Sequence, residues 1–196
     1  MSSPVDLCLA SASPRRKALL EQIGLSCLQY PVDLDETPLP EETAQAYVLR
    51  LAEDKARMGM VRSGTELPVL GSDTSVVYQG HILGKPRDEE HCVEMLMLLS
   101  GQTHQVMTGV AVCQRDQIHS LLSITEVTFR SLSEQECRQY WRTGEPVDKA
   151  GGYGIQGLAA VFVESVSGSY SNVVGLPLFE TAELLKKYDI QILERS

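Results

Sequence analysis

No stretch of this chain approaches the ~20 consecutive apolar residues that a bilayer crossing needs, which excludes a membrane-spanning helix. Positive charge is scarce. Seventeen Lys and Arg against 26 Asp and Glu leave a net charge of -9. Such a balance argues against duplex nucleic acid or an anionic membrane as the main partner. The five cysteines, Cys8, Cys27, Cys92, Cys113 and Cys137, form no C-x-x-C pair and have no His at metal-ligand spacing. They read as reduced thiols filling apolar positions in a cytoplasmic protein. The start of the sequence carries Asp6 and no basic segment, so it is not expected to be a signal peptide. There is no Walker loop, no G-x-G-x-x-G after a strand and no nucleophile elbow. Repeats, linkers and low-complexity segments are also missing.

What is present fits one domain over residues 1–196, with a core supported by 43% hydrophobic residues. Val5 to Ala10 reads as a buried strand. Ser13 is placed to cap a helix that starts at Pro14 and stops at Gly24. Ser26 to Tyr30 reads as a second strand, followed by an acidic loop over 33–42. A long helix is expected from Thr43 to about Arg62. The apolar run 67–70 places Asp73 at the end of a buried strand, and 76–83 reads as a hairpin. Asp88 opens a helix that ends at Ser100-Gly101. Residues 102–115 and 117–130 form a long antiparallel hairpin. A capping box at Ser133 to Glu136 opens the next helix, which runs to Thr143. The glycine-rich loop 148–157, a strand over 158–166 and a last helix to about Tyr188 complete a mixed α/β sheet with flanking helices, in two lobes around a cleft.

Several polar residues break local rules. Arg15, Arg16 and Lys17 crowd the first turn of a helix, where the backbone dipole disfavours cations and favours anions. A polyanion held between helix amides and guanidinium groups resolves that conflict. Lys55 follows Leu51 on the apolar face of its helix. There it is either a snorkelling stem or the partner of an anion. Asp73 is either a turn residue or a working carboxylate. Collected, the cations Arg15, Arg16, Lys55 and Lys85 with the carboxylates Glu36 and Asp73 suit a phosphate chain carrying a divalent metal. Ordinary exposed ion pairs are the competing explanation, above all for Arg16 and Lys17. The glycine-rich loop alone is a mobile connection as readily as a ligand loop.

The ordered set of motifs is more specific than any one of them. It comprises Ala10 to Arg16, Asp35-Glu36, Arg50-Leu51-Ala52 with Lys55-Ala56, Gly71-Ser72-Asp73-Thr74, Gly84-Lys85-Pro86, Ser100-Gly101, Asp148 to Gly151 with Gly154 to Gly157, and Asn172-Val173 with Gly175-Leu176-Pro177. This set resembles the Maf proteins, nucleoside triphosphate pyrophosphatases similar in fold to the inosine triphosphate pyrophosphatases. The resemblance implies hydrolysis between the α and β phosphates, a divalent metal (Mg²⁺ or Mn²⁺) and a homodimer. It implies Asp73 as the proton acceptor, Glu36 and Asp73 as metal ligands, and Ser13, Arg15, Arg16, Lys55 and Lys85 as phosphate-site residues. Arg15, Thr74 and Gln156 resemble the markers of the branch acting on dTTP and UTP, or on modified pyrimidine nucleotides. Two alternatives accompany this reading. One is the same chemistry on a purine nucleotide such as 7-methyl-GTP. The other is a nucleotide-binding regulator of septum formation.

Overall fold

The computed structural model describes residues 5–193. Its mixed sheet has seven strands: β1 (Leu7–Leu9), β2 (Cys27–Gln29), β3 (Val69–Tyr78), β4 (His81–Leu83), β5 (Thr103–Gln114), β6 (Gln117–Phe129) and β7 (Val163–Ser167). Their order is β2-β1-β3-β5-β6-β7, with β4 paired to β3. The helices are α1 (Pro14–Gln22), α2 (Ala44–Ser63), α3 (Glu89–Leu99), α4 (Glu134–Trp141), α5 (Tyr170–Val174) and α6 (Leu178–Lys186). The mixed α/β class and the long hairpin expected from the sequence are both present.

The chain divides into two compact units. The first holds the chain up to Asp73, Thr108–Ser123 and the chain from Gly175. Here β1 lies parallel to β2 and to β3, with Leu7 opposite Cys27 and Cys8 opposite Val69. Parallel strands buried on both faces need continuous apolar sequence, which Leu7-Cys8-Leu9 supplies at full burial. Ser13 caps α1 by accepting from the Arg16 amide, and Pro14 occupies the first turn. Thr43 caps α2, and Gly64 closes it in the left-handed conformation.

Small residues let α2 lie against the sheet with its backbone nearly touching the strands. A Cβ on Gly71 would stand 2.2 Å from the Ala52 carbonyl oxygen, and one on Gly109 would stand 2.3 Å from that of Val48. Ala52, Ala56, Ala111 and Cys113 fill the space beside them. Side chains alternate across a strand, so Asp73 shares the helix-facing side of β3 with Gly71. The sequence reading placed Asp73 at a strand end. It lies instead within one ten-residue strand, because the helix packs on Gly71 and the polar groups at 72 and 73 are met by protein partners.

The second unit holds Thr74–Met107 and Ile124–Val174. Its core joins Val76, Leu96, Leu99 and Val127 to an aromatic group around Phe129. Phe129 meets His104, Tyr153 and Phe162 edge-on, and Tyr140 meets Phe162 the same way. The capping box of α4 forms as expected, with Ser133 and Glu136 exchanging hydrogen bonds. The expected strand over 158–166 is corrected: Leu158–Phe162 is a 3-10 turn and β7 starts only at Val163. The Glu145 carboxylate accepts from the Leu158 amide at 2.8 Å, which favours a helical start over an extended one.

Two outcomes are expected. Gly71→Ala should lower unfolding stability by about 3 kcal/mol or more, since its methyl group meets backbone that cannot rotate away. Gly84→Ala, with open space around it, should stay within about 0.5 kcal/mol. Urea titrations of both variants check this, and equal effects would contradict the close approach of α2. Second, His104 is 2% exposed, and burial pushes its imidazole down from 6.5 to about 4. Between those values the unfolded chain binds the proton and the folded one does not. The His104 contribution to stability should therefore be flat above pH 6.5 and fall by up to about 1.4 kcal/mol per pH unit towards pH 4. Between pH 6.5 and about 5, above the range where depressed carboxyls such as Glu42 add their own loss, that slope should be missing in His104→Phe, as measured by urea midpoints.

Candidate active site

Within the first unit, α2 carries Lys55 to the sheet face that presents Asp73. The Lys55 ammonium donates to Asp73 Oδ1 at 2.7 Å and lies 2.6 Å from Glu36 Oε1. Lys55 and Asp73 are each 8% exposed, and Glu36 comes in from the loop side. A lysine this buried needs anionic partners, and it has two. That decides the reading of Lys55 in favour of an ion-paired group over a snorkelling stem.

The acidic loop carrying Glu36 is fastened to α2. The Tyr47 hydroxyl donates to the Glu36 carbonyl at 2.8 Å. Burial, with Asp73 and Glu36 adding to it, pushes that phenol up to about 12, so it is a neutral donor at ordinary pH. Arg50 grips Glu42 with Nε and Nη2 at 2.6 and 2.7 Å, and its Nη2 also donates to the Thr37 carbonyl at 3.3 Å. The Arg50 hydrogen bonds hold the Glu42 carboxyl down at about 2. From the sequence Arg50 stands out only as part of a family motif, without a role of its own, and Tyr47 does not stand out. The signal available was an acidic loop with no cation of its own, followed by an arginine on the adjoining helix.

At the turn into α1, Arg16 is built into the fold. Its Nε donates to the Gly175 carbonyl at 2.8 Å, and its Nη1 lies 3.2 Å from Ser11 Oγ. Burial lowers the guanidinium from its usual value, Asp73 counters this, Arg15 adds to it and Glu36 opposes it. Those influences put Arg15, Arg16, Glu36 and Asp73 in one electrostatic neighbourhood. Ser13 caps the helix there. Lys17 stands apart, paired on the surface with Glu21 at 3.7 Å. Ser13, Arg15, Arg16, Glu36, Lys55 and Asp73 thus belong to one unit.

The other expected site residues, Thr74, Lys85 and Gln156, belong to the second unit. Lys85 is exposed and follows Gly84, whose carbonyl accepts from the Gly151 amide at 3.0 Å. The Gly84-Lys85-Pro86 turn and the glycine-rich loop are thereby joined. Gln156 is exposed on that loop. Glu145 fixes the loop beyond it, accepting from the Leu158 and Ala159 amides and from the Tyr140 hydroxyl. Burial works against its charge, but the Leu158 amide, Tyr140 and the Ala159 amide outweigh that and draw the carboxyl below its usual value. A Cβ on Gly157 would stand 2.3 Å from both Glu145 carboxylate oxygens, so a side chain there would have to displace that carboxylate. The loop is therefore anchored at both of its ends by hydrogen bonds. Neither Glu145 nor Tyr140 was singled out from the sequence, since nothing local marks a carboxylate 13 residues from the amide it binds.

The carboxylates of Glu36 and Asp73 converge on one ammonium and are hard oxygen donors. They fit a divalent cation of the Mg²⁺ class, which takes one or two protein carboxylates and completes its shell with phosphate and water. Among the described residues no cluster of three or more His, Cys, Asp or Glu forms a metal cage.

Removing the shared cation tests the arrangement. Lys55→Met should cost roughly 3 kcal/mol of stability at neutral pH, because two carboxylates are left facing one another. Adding Asp73→Asn should recover a substantial part. A double-mutant cycle in urea checks this, and strict additivity would contradict the coupling.

Comparison with known proteins fits this description. A protein of Saccharophagus degradans named dTTP/UTP pyrophosphatase is 55% identical over 190 residues, covering 95% of this chain and 90% of the relative. Another of that name from Escherichia coli K12 is 51% identical over 183 residues, covering 93% of each. Among solved structures, a HAM1 protein from Coxiella burnetii aligns with a TM-score of 0.48 at 16% identity, over 64% of this chain and 73% of that one. That likeness carries no functional weight. The model of the Maf-like protein family matches residues 6–188, and the chain belongs to that family.

Proposed function

We propose that the protein hydrolyses dTTP and UTP between the α and β phosphates, releasing the nucleoside monophosphate and pyrophosphate. The observation that carries this reading is the Lys55 ammonium held between Glu36 and Asp73, in a chain half identical to relatives named dTTP/UTP pyrophosphatase. Arg15, Arg16 and Lys55 against Glu36 and Asp73 leave a positive balance in an otherwise acidic protein, which suits a polyanion.

In this reading Asp73 accepts the proton of the attacking water. Ser13, the first-turn amides of α1, Arg15, Arg16, Lys55 and Lys85 bind and orient the phosphates. Glu36 and Asp73 would hold a divalent cation, which when bound supplies charge neutralisation at the phosphate oxygens. Thr74 and Gln156 bear hydroxyl and amide groups able to hydrogen-bond the imide edge of thymine or uracil, and a base that leaves such groups unpaired is rejected. The place of action in this reading is the cytoplasm and the working form a homodimer.

A panel of nucleoside triphosphates assayed for pyrophosphate tests this. The expected result is metal-dependent release from dTTP and UTP well above that from 7-methyl-GTP and inosine triphosphate. Asp73→Asn should lower the rate by at least about 10²-fold while the protein stays folded. Full activity in that variant would remove Asp73 as the base. Arg15→Ala should alter the ratio between nucleotides as well as affinity, whereas an equal loss on all of them would make Arg15 a phosphate ligand only.

A further inference from the structure

We infer that Arg50, acting through Glu42 and Tyr47, is a positioning group for Glu36: a latch that fixes the acidic loop on α2 and so sets where the Glu36 carboxylate stands. The inference rests on the proposed pyrophosphatase reading.

Glu36 meets α2 at two points, and the two have different chemistry. Its carboxylate reaches the Lys55 ammonium at 2.6 Å. Its backbone carbonyl accepts from the Tyr47 hydroxyl at 2.8 Å. Tyr47 and Lys55 lie eight residues apart, so they stand about two helical turns apart along α2. A residue held by its main chain at one turn and by its side chain at another has little freedom to shift along the helix. The loop itself has no regular secondary structure between Tyr30 and Leu39. Further fixings of the loop converge on Arg50. The guanidinium holds Glu42 by a two-pronged contact and reaches back to the Thr37 carbonyl, next to Glu36. The same Glu42 carboxylate accepts from the Leu39 amide at 3.0 Å. Arg50 also lies over the Tyr47 ring, 5.6 Å from its centroid. One cation thus ties together the start of α2, the turn before it and the tyrosine that holds Glu36.

Exposure separates this pair from the ordinary surface ion pairs of the chain. The Glu42 side chain is 7% exposed and that of Arg50 is 25% exposed, whereas Arg115 and Glu66 are 80% and 85% exposed. The planar fork matters as much as the charge. Lysine supplies a point charge and cannot span two carboxylate oxygens and a carbonyl at once. Arg50→Lys is therefore the discriminating change, because it keeps the charge and the alkyl stem and loses the fork.

The test measures Arg50→Lys and Tyr47→Phe beside wild type in two ways. Amide hydrogen exchange is read at Thr37 and Leu39, with α2 as the internal reference. Expected is at least tenfold faster exchange at Leu39 in Arg50→Lys with the amides of α2 unchanged; unchanged exchange at Leu39 would overturn the latch. Steady-state hydrolysis of dTTP is read in the wild-type and Glu36→Gln backgrounds. The expected effect of Arg50→Lys is a loss of about tenfold, mainly in kcat rather than KM, with almost no further loss once Glu36 is Gln. An equal loss in both backgrounds would show that Arg50 acts independently of Glu36 and overturn the assignment. Absence of dTTP and UTP hydrolysis in wild type would instead remove the proposed function, and the exchange measurement would still decide whether the loop is latched.

Discussion

The arrangement depends on one buried cation shared by two carboxylates. An ammonium taken out of water is costly, and Lys55 is stable where it stands because Asp73 and Glu36 receive it together. Those partners come from unlike parts of the chain, a central strand and an irregular loop. The helix that brings them together must lie at a defined height above the sheet. Gly71 and Gly109 set that height by leaving no side chain between helix backbone and strand backbone. A larger residue at either point would lift α2 and draw Lys55 away from Asp73.

The second unit uses polar burial in a parallel way. Glu145 is the fixed point of the glycine-rich loop, as Lys55 is of the acidic cluster. It satisfies two amides at the start of a 3-10 turn and takes a proton donor from Tyr140. In the same unit, His104 and Tyr153 share a buried hydrogen bond at 2.7 Å inside the aromatic core. In both units a charged or polar group, rather than more apolar surface, holds an irregular segment in one conformation. Irregular segments lack the repeated backbone pairing of helices and sheets, so side chains have to supply the missing partners.

Much of this was legible in the sequence because its signals are local. Ser13, Thr43 and Ser133 mark helix starts through their own side-chain chemistry, and each caps the helix expected of it. The 3.6-residue period placed Lys55 on the inner face of α2, where it is found. The ordered motifs placed the chain in the right family. The errors share a cause. Asp73 looked like a strand end because polar residues follow Leu70, yet their partners lie on α2 and at Gly175. Leu158 to Phe162 looked extended because it is apolar, yet a carboxylate 13 residues earlier turns it into a helical start. The roles of Tyr47, Arg50 and Glu145 were hidden for the same reason: each works on backbone groups whose positions exist only once the fold is made. Two lobes are expected from the sequence, but the boundary between Asp73 and Thr74, adjacent in one strand, has no mark in the local pattern.

The contact between Arg16 and the Gly175 carbonyl spans 159 residues. It has a consequence for synthesis, which delivers the chain from its N-terminus. Glu36, Lys55 and Asp73 lie within 38 consecutive residues and are available to one another early. The carbonyl that Arg16 Nε uses is made 159 residues after Arg16 itself. A nascent chain can therefore join its acidic residues to Lys55 long before the guanidinium at the start of α1 is seated. Gly175 acts as the closing stitch of a wall begun at Arg16.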